Sequence, residues 1–189
     1  MGDSSDRLDV ALRCARAGDP DGFDALFRAH STAVVGYLRA RHVSDPDDLA
    51  NEVFVRAFRN IHTVQGDSDR FRSWLFGIAH NVAIDDGRRR RRRLNETSLD
   101  EQVDAQLAAA GGDVEAEAIT ELERQLVRTL LAGLAPDQRD VLLLRVFSDL
   151  SVAQTAAVVD KSYEAVKALQ RRGIASLRRV LDAQEGVPR

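Results

Sequence analysis

Apolar residues recur along this chain at intervals of three and four, and no stretch shows the period of two that a half-buried strand needs. The pattern predicts an all-α protein. In "GDPDGFDALFRAHSTAVVGYLRAR", Asp19 is placed to cap a helix and Pro20 suits its first position, while Phe23, Leu26, Phe27, Val34, Tyr37 and Leu38 form one buried stripe. "SDPDDLANEVFVRAFRNI" repeats the device with Asp45 as cap and Pro46 as first residue. Asp47 and Asp48 then lie at the positive end of the helix dipole. On this second helix Leu49, Val53, Ala57 and Ile61 face inward. Asp48, Glu52, Val55 and Arg59 share a different face, charged but carrying a valine, which suits either solvent or a partner helix.

After a polar loop, "HTVQGDSDR", a third helix is expected from about Phe71, with Phe71, Trp74, Leu75, Ile78 and Val82 on its core stripe. Asn81, Asp85 and Arg88 line the edge of that stripe and lead into six consecutive arginines, Arg88 to Arg93, which are expected to terminate the helix. Further on, Pro136 opens a helix with Val141, Leu142, Leu144 and Val146 as apolar positions. Ser151 opens a short one, with Gln154 completing a capping box. "DKS" is a short turn, and a basic helix follows from about Ser162 to Leu181, with Val166, Leu169 and Leu177 inward and Ile174 beside them. Two helices joined by so short a turn match a DNA-binding helix-turn-helix, with Lys167, Arg171 and Arg172 in the first turns of the groove-entering member.

Charge divides the chain in three. Residues 1–93 carry 16 basic and 14 acidic side chains, residues 94–123 carry 0 and 9, and residues 124–189 carry 11 and 7. Two mildly basic blocks therefore flank an acidic stretch without aromatic residues, which has little apolar surface to bury and reads as a flexible linker. Within 189 residues this leaves two small helical domains, 1–93 and 124–189, joined by an acidic linker at 94–123.

The remaining composition excludes several function classes. Apolar runs such as "VLLLRVF" fall far short of the roughly 20 residues needed to cross a bilayer, so a cytoplasmic protein is expected. One cysteine, Cys14, cannot form an internal disulfide, and four scattered histidines lack metal-binding spacing, so no metal is expected. No nucleophile and base are arranged for catalysis and there is no phosphate loop, so neither an enzyme nor a cofactor is expected. The classes left are a partner-dependent DNA-binding protein and a stand-alone helix-turn-helix regulator that binds duplex DNA.

Three stretches, "DPDDLANEVFVRAFRN", "FRSWLFGIAHNVAIDDGRRRR" and "LAPDQRDVLLLRVFSDLSVAQTAAVV", in this order and around a linker, resemble an alternative sigma factor of bacterial RNA polymerase of the extracytoplasmic-function (ECF) type. The resemblance spans about residues 20 to 182. It implies a sigma region two domain over 1–93 and a region four helix-turn-helix domain over 124–189. Asp48, Glu52, Val55 and Arg59 are then implied to dock on the clamp helices of the polymerase beta-prime subunit. The loop from His62 to Arg70, with Asn81, Asp85, Arg88 and Arg89, is implied to capture the melted minus-ten strand. Glu164, Lys167, Ala168, Arg171 and Arg172 are implied to read the minus-thirty-five duplex. Further implied partners are the polymerase beta flap and an anti-sigma protein, with the two domains closed together when inhibited and spread when bound to polymerase. Asp160 departs from the family's usual glycine in the turn, and Ala165 from its common threonine. Aspartate tolerates the left-handed conformation, so the turn is expected to survive.

Overall fold

The computed structural model describes residues 2–96, 130–131 and 133–185, and the acidic stretch read as a flexible linker lies outside them except for its first residues. Among the described residues every regular element is helical, as the periodicity requires. The first block comprises α1 (Gly2–Arg16), α2 (Pro20–Ala40), α3 (Pro46–Arg59) and α4 (Ser68–Glu96), and the second comprises α5 (Pro136–Phe147), α6 (Val152–Val158) and α7 (Tyr163–Glu185).

The helix starts follow local chemistry. Asp19 Oδ1 accepts from the Asp21 amide at 3.0 Å and Asp45 Oδ1 from the Asp48 amide at 3.0 Å, each with proline at the first helical turn. These bonds satisfy amides that a helix start leaves without intrahelical partners. Asp67 does the same for α4, accepting from the Arg70 amide at 2.9 Å, so α4 begins before the expected Phe71. The polar loop is correspondingly short: a single 3-10 turn covers Ile61–Thr63, and Ser68 to Arg70 already belong to α4.

Four helices enclose the first core, in which Leu12, Leu26, Val34, Tyr37, Val53, Phe71, Leu75 and Phe76 are fully buried. The N-terminal α1, which the apolar pattern does not single out, packs on α2 and α4, and its Asp9 Oδ1 accepts from the Ser68 amide at 2.7 Å. Hydrogen bonding to Ser68 is the main reason the Asp9 carboxyl is held below the usual carboxylate range.

Three expectations for buried positions fail, each where a stripe is wider than the neighbour that covers it. Phe27 is 37% exposed and packs on Phe54 with ring centroids 4.7 Å apart. Val146 is 73% exposed, while Leu143, which the pattern does not select, is buried. Ile174 lies at the rim of α7 rather than against its core. Nor do the arginines terminate α4, which continues to Glu96. Arginine has good helix propensity, and two aspartates one turn back, Asp85 to Arg88 at 3.6 Å and Asp86 to Arg90 at 3.1 Å, offset the mutual repulsion.

The second block does not stand apart from the first. Leu142, Leu143, Leu144 and Leu150 belong to the same continuous apolar cluster as the first domain's core, whereas Val141, Ala156, Val166 and Leu169 form a small separate one.

Candidate polymerase- and DNA-binding surfaces

The outer face of α3 brings together the four residues expected there. Asp48, Val55 and Arg59 lie on the open side and Glu52 is held by an ion pair with Arg56 one turn on. Val55, 47% exposed, sits among charges. Beneath it Phe54 and Phe58 are braced by Phe27 and Phe23 of α2, with ring centroids 4.7 and 5.0 Å apart. A rigid helix face with an apolar centre and a charged rim is suited to a protein partner, since solvent alone does not favour an exposed valine. Arg56 is not among the residues expected here, although its spacing from Glu52 signals the pair.

At the far end of α4, Asn81, Arg88 and Arg89 are exposed and Asp85 is half-buried. The six arginines are not equivalent. Arg90 turns back to Asp86, whereas Arg88, Arg89, Arg91 and Arg92 line a shallow groove with Asp85. Asp86, 6% exposed, is the anchor of this segment. It accepts from the Ser44 amide at 3.1 Å and the Ser44 hydroxyl at 2.6 Å in addition to Arg90. The neighbouring Asp85 is the carboxylate that the sequence points to, and nothing in the spacing distinguishes the two.

The second block forms a helix-turn-helix from α6 and α7. Ser151 and Gln154 make the reciprocal capping box, with Ser151 N donating to Gln154 Oε1 at 2.8 Å and Gln154 N donating to Ser151 Oγ at 3.2 Å. In the turn Asp160 adopts φ +50°, the left-handed conformation expected of it, and Lys161 N donates back to Ala156 O at 3.0 Å. Gly173 lets α7 lie close on α5, because a Cβ there would stand 2.8 Å from the Leu142 side chain. On the outward side of α7, Glu164, Lys167, Ala168 and Arg171 line one groove together with Tyr163 and Ile174. Arg172 stands outside that lining, its Nε donating to Ala168 O at 3.3 Å. Lys167 lies 3.9 Å from Glu164 and 5.5 Å from the centre of the Tyr163 ring, so its ammonium is steered rather than committed.

No cluster of histidine, cysteine, aspartate or glutamate among the described residues is arranged to hold a metal. The chemistry on offer is therefore recognition: an apolar and charged protein face, a basic helix end and a basic helix-turn-helix.

Comparison with known proteins gives the same parts in the same order. Residues 26–93 match the Sigma-70 region 2 family and residues 124–177 the Sigma-70 region 4 family. The ECF RNA polymerase sigma factor BldN of Streptomyces coelicolor is 33% identical over 181 residues, spanning 95% of this chain and 67% of that one. SigX of Bacillus subtilis, also an ECF RNA polymerase sigma factor, is 33% identical over 77% of this chain and 75% of its own. Among solved structures, CnrH in complex with the cytosolic domain of CnrY superposes with a TM-score of 0.68 at 27% identity, covering 93% of this chain and 98% of that one. With both halves matched in order and relatives aligned along nearly its whole length, the chain belongs to the ECF sigma factors, the promoter-recognition subunits of RNA polymerase.

Proposed function

We propose a division of labour along the chain. The α3 face of Asp48, Glu52, Val55 and Arg59 docks on the clamp helices of the beta-prime subunit. The end of α4, through Asn81, Asp85, Arg88 and Arg89, takes the melted non-template strand of the minus-ten element. Glu164, Lys167, Ala168, Arg171 and Arg172 on α7 read the minus-thirty-five duplex. Single-strand capture offsets the unstacking cost of a few kcal/mol, so opening DNA needs binding and no covalent step.

The observation that carries this reading is the presence of two nucleic-acid surfaces of different kinds in one chain, an arginine-rich helix end and a capped helix-turn-helix, beside a separate protein-docking face. A stand-alone duplex regulator leaves α3 and the α4 arginines without work. A protein inhibitor belongs to the same proposal, because the related CnrH was solved bound to the cytosolic domain of CnrY. So does a cytoplasmic site of action, and no described helix is long and apolar enough to cross a membrane.

Transcription in a defined mixture tests the whole reading: core polymerase and host genomic DNA, with and without this protein, with RNA starts mapped. Discrete new starts sharing two upstream elements are expected; their absence with folded protein and active core enzyme would overturn it. Two variants test its parts. Val55→Asp puts a charge at the centre of the docking face and should weaken core polymerase binding about tenfold, roughly 1.4 kcal/mol, without altering thermal stability. Arg88→Ala with Arg89→Ala should weaken promoter complexes and lower the slope of log affinity against log salt by about one for each phosphate left without its arginine. An unchanged slope would remove these arginines from the DNA surface.

A further inference from the structure

The two domains meet along a seam that the sequence does not foretell. At its centre Arg41, just past the end of α2, forms an ion pair with Asp140 of α5, and the two side chains are only 14% and 16% exposed. Beside it Phe147 of α5 lies over Gly36 of α2, where a Cβ would stand 2.8 Å from the ring. At the other edge Gln154 Nε2 of α6 donates to Asp69 O at the start of α4, at 3.4 Å. Leu142, Leu143, Leu144 and Leu150 complete the seam as part of the first domain's apolar cluster.

This arrangement is incompatible with reading two promoter elements at once. From Asp69, where α6 rests, to Arg88 the helix α4 rises about 28 Å at 1.5 Å per residue. The basic turns of α7 follow α6 directly, so both DNA-reading surfaces lie within about 50 Å of each other, counted in helix rises. Duplex elements centred about 25 base pairs apart are separated by about 85 Å at 3.4 Å per pair. The contact at Asp69 also sets α6 against the edge of the loop assigned to the melted strand.

We propose that this chain closes on itself, with the Arg41–Asp140 pair as the latch of an autoinhibited form that must open before the promoter is bridged. The inference rests on the promoter-recognition reading. The latch is built to be released: a buried ion pair gains little over its solvated partners unless every polar atom is satisfied. Among the described residues no partner reaches Arg41 Nε. Separation of the domains rehydrates both charges, whereas the apolar part of the seam favours closure, so the two forms are balanced by opposing terms.

The full chain tests this in three forms: wild type, Asp140→Arg, and the exchanged pair Arg41→Asp with Asp140→Arg. Small-angle X-ray scattering should give a compact wild type, near the radius of gyration of about 16 Å expected for one body of this length. Asp140→Arg, with like charges at the seam, should be larger by about a quarter, and the exchanged pair should return towards wild type. Gly36→Gln, which drives a side chain into Phe147, should open the seam independently of charge. Binding to core polymerase, measured on the same proteins, should tighten about tenfold in the opened variants, because the competent fraction rises. A wild type as expanded as Asp140→Arg, or equal affinities despite a change in size, would overturn the latch. Failure of wild type and variants alike to bind core polymerase would instead overturn the promoter reading beneath it.

Discussion

Asp86→Ala is expected to lower the midpoint of thermal unfolding by roughly 6–12 °C, the consequence of losing about 3 kcal/mol in a chain of this size. The carboxylate is 6% exposed and joins three donors: the Ser44 amide, the Ser44 hydroxyl and Arg90. Alanine leaves the Ser44 amide facing a void and Arg90 without its carboxylate. A lost partner costs more than the bond contributed, because the donors left behind have already given up their water. Asp86→Asn keeps an acceptor for Ser44 and loses only the charge, so it should fall between the two. The measurement is a thermal melt at neutral pH, and a drop below about 3 °C for the alanine variant would contradict the anchoring role. A functional effect should accompany the loss of stability. Asp86 ties the loop before α3 to the last turns of α4, so its removal also loosens the helix that presents Arg88 and Arg89.

The contrast between Asp85 and Asp86 shows what sequence can and cannot supply here. The caps at Asp19, Asp45 and Ser151 and the left-handed turn at Asp160 are legible because each depends on residues within four positions. Helix existence is legible for the same reason. Which of two adjacent carboxylates turns inward depends on Ser44, some forty residues earlier, and no local pattern reports that. Phe27, Val146 and Ile174 read as core in the sequence because periodicity gives the direction of an apolar face but not the extent of the helix that covers it. Arg41 and Asp140 carry no signal at all until α2 and α5 meet, yet they lie at the centre of the seam. The recognition surfaces are more legible. A helix face that must meet another macromolecule is exposed by necessity, so its residues follow from helical spacing and charge alone.

Acid is expected to unfold this protein through two histidines that neither DNA nor polymerase touches in this reading. His30 and His80 are each 6% exposed, and burial is the main reason both rings are pulled down to about 4 from an ordinary value near 6.5. The Arg72 guanidinium adds repulsion at His30 and Arg41 adds it at His80. Tyr37, whose own hydroxyl is pushed up by burial, shares a hydrogen bond of 2.9 Å with His80 Nδ1; His30 packs against the Phe71 ring at 5.8 Å. Between about pH 6.5 and 4 the unfolded chain therefore binds protons at these positions that the folded chain refuses. The stability they confer is present in full above about pH 6.5, declines as pH falls, and is exhausted near pH 4. Each ring accounts for roughly 3 kcal/mol, and together they approach the whole stability of an ordinary domain. Urea denaturation between about pH 7.5 and 4.5 should show the free energy falling by about 2.7 kcal/mol per pH unit in the steep region, the signature of about two protons taken up on unfolding. Carboxylates also titrate at the acid end, so the variant comparison isolates the histidines. His80→Gln retains a partner for the Tyr37 hydroxyl but cannot titrate, and should reduce the uptake by about one proton. An unchanged uptake would mean that His80 accepts its proton without leaving the core, and the acid sensitivity would have to come from elsewhere in the chain.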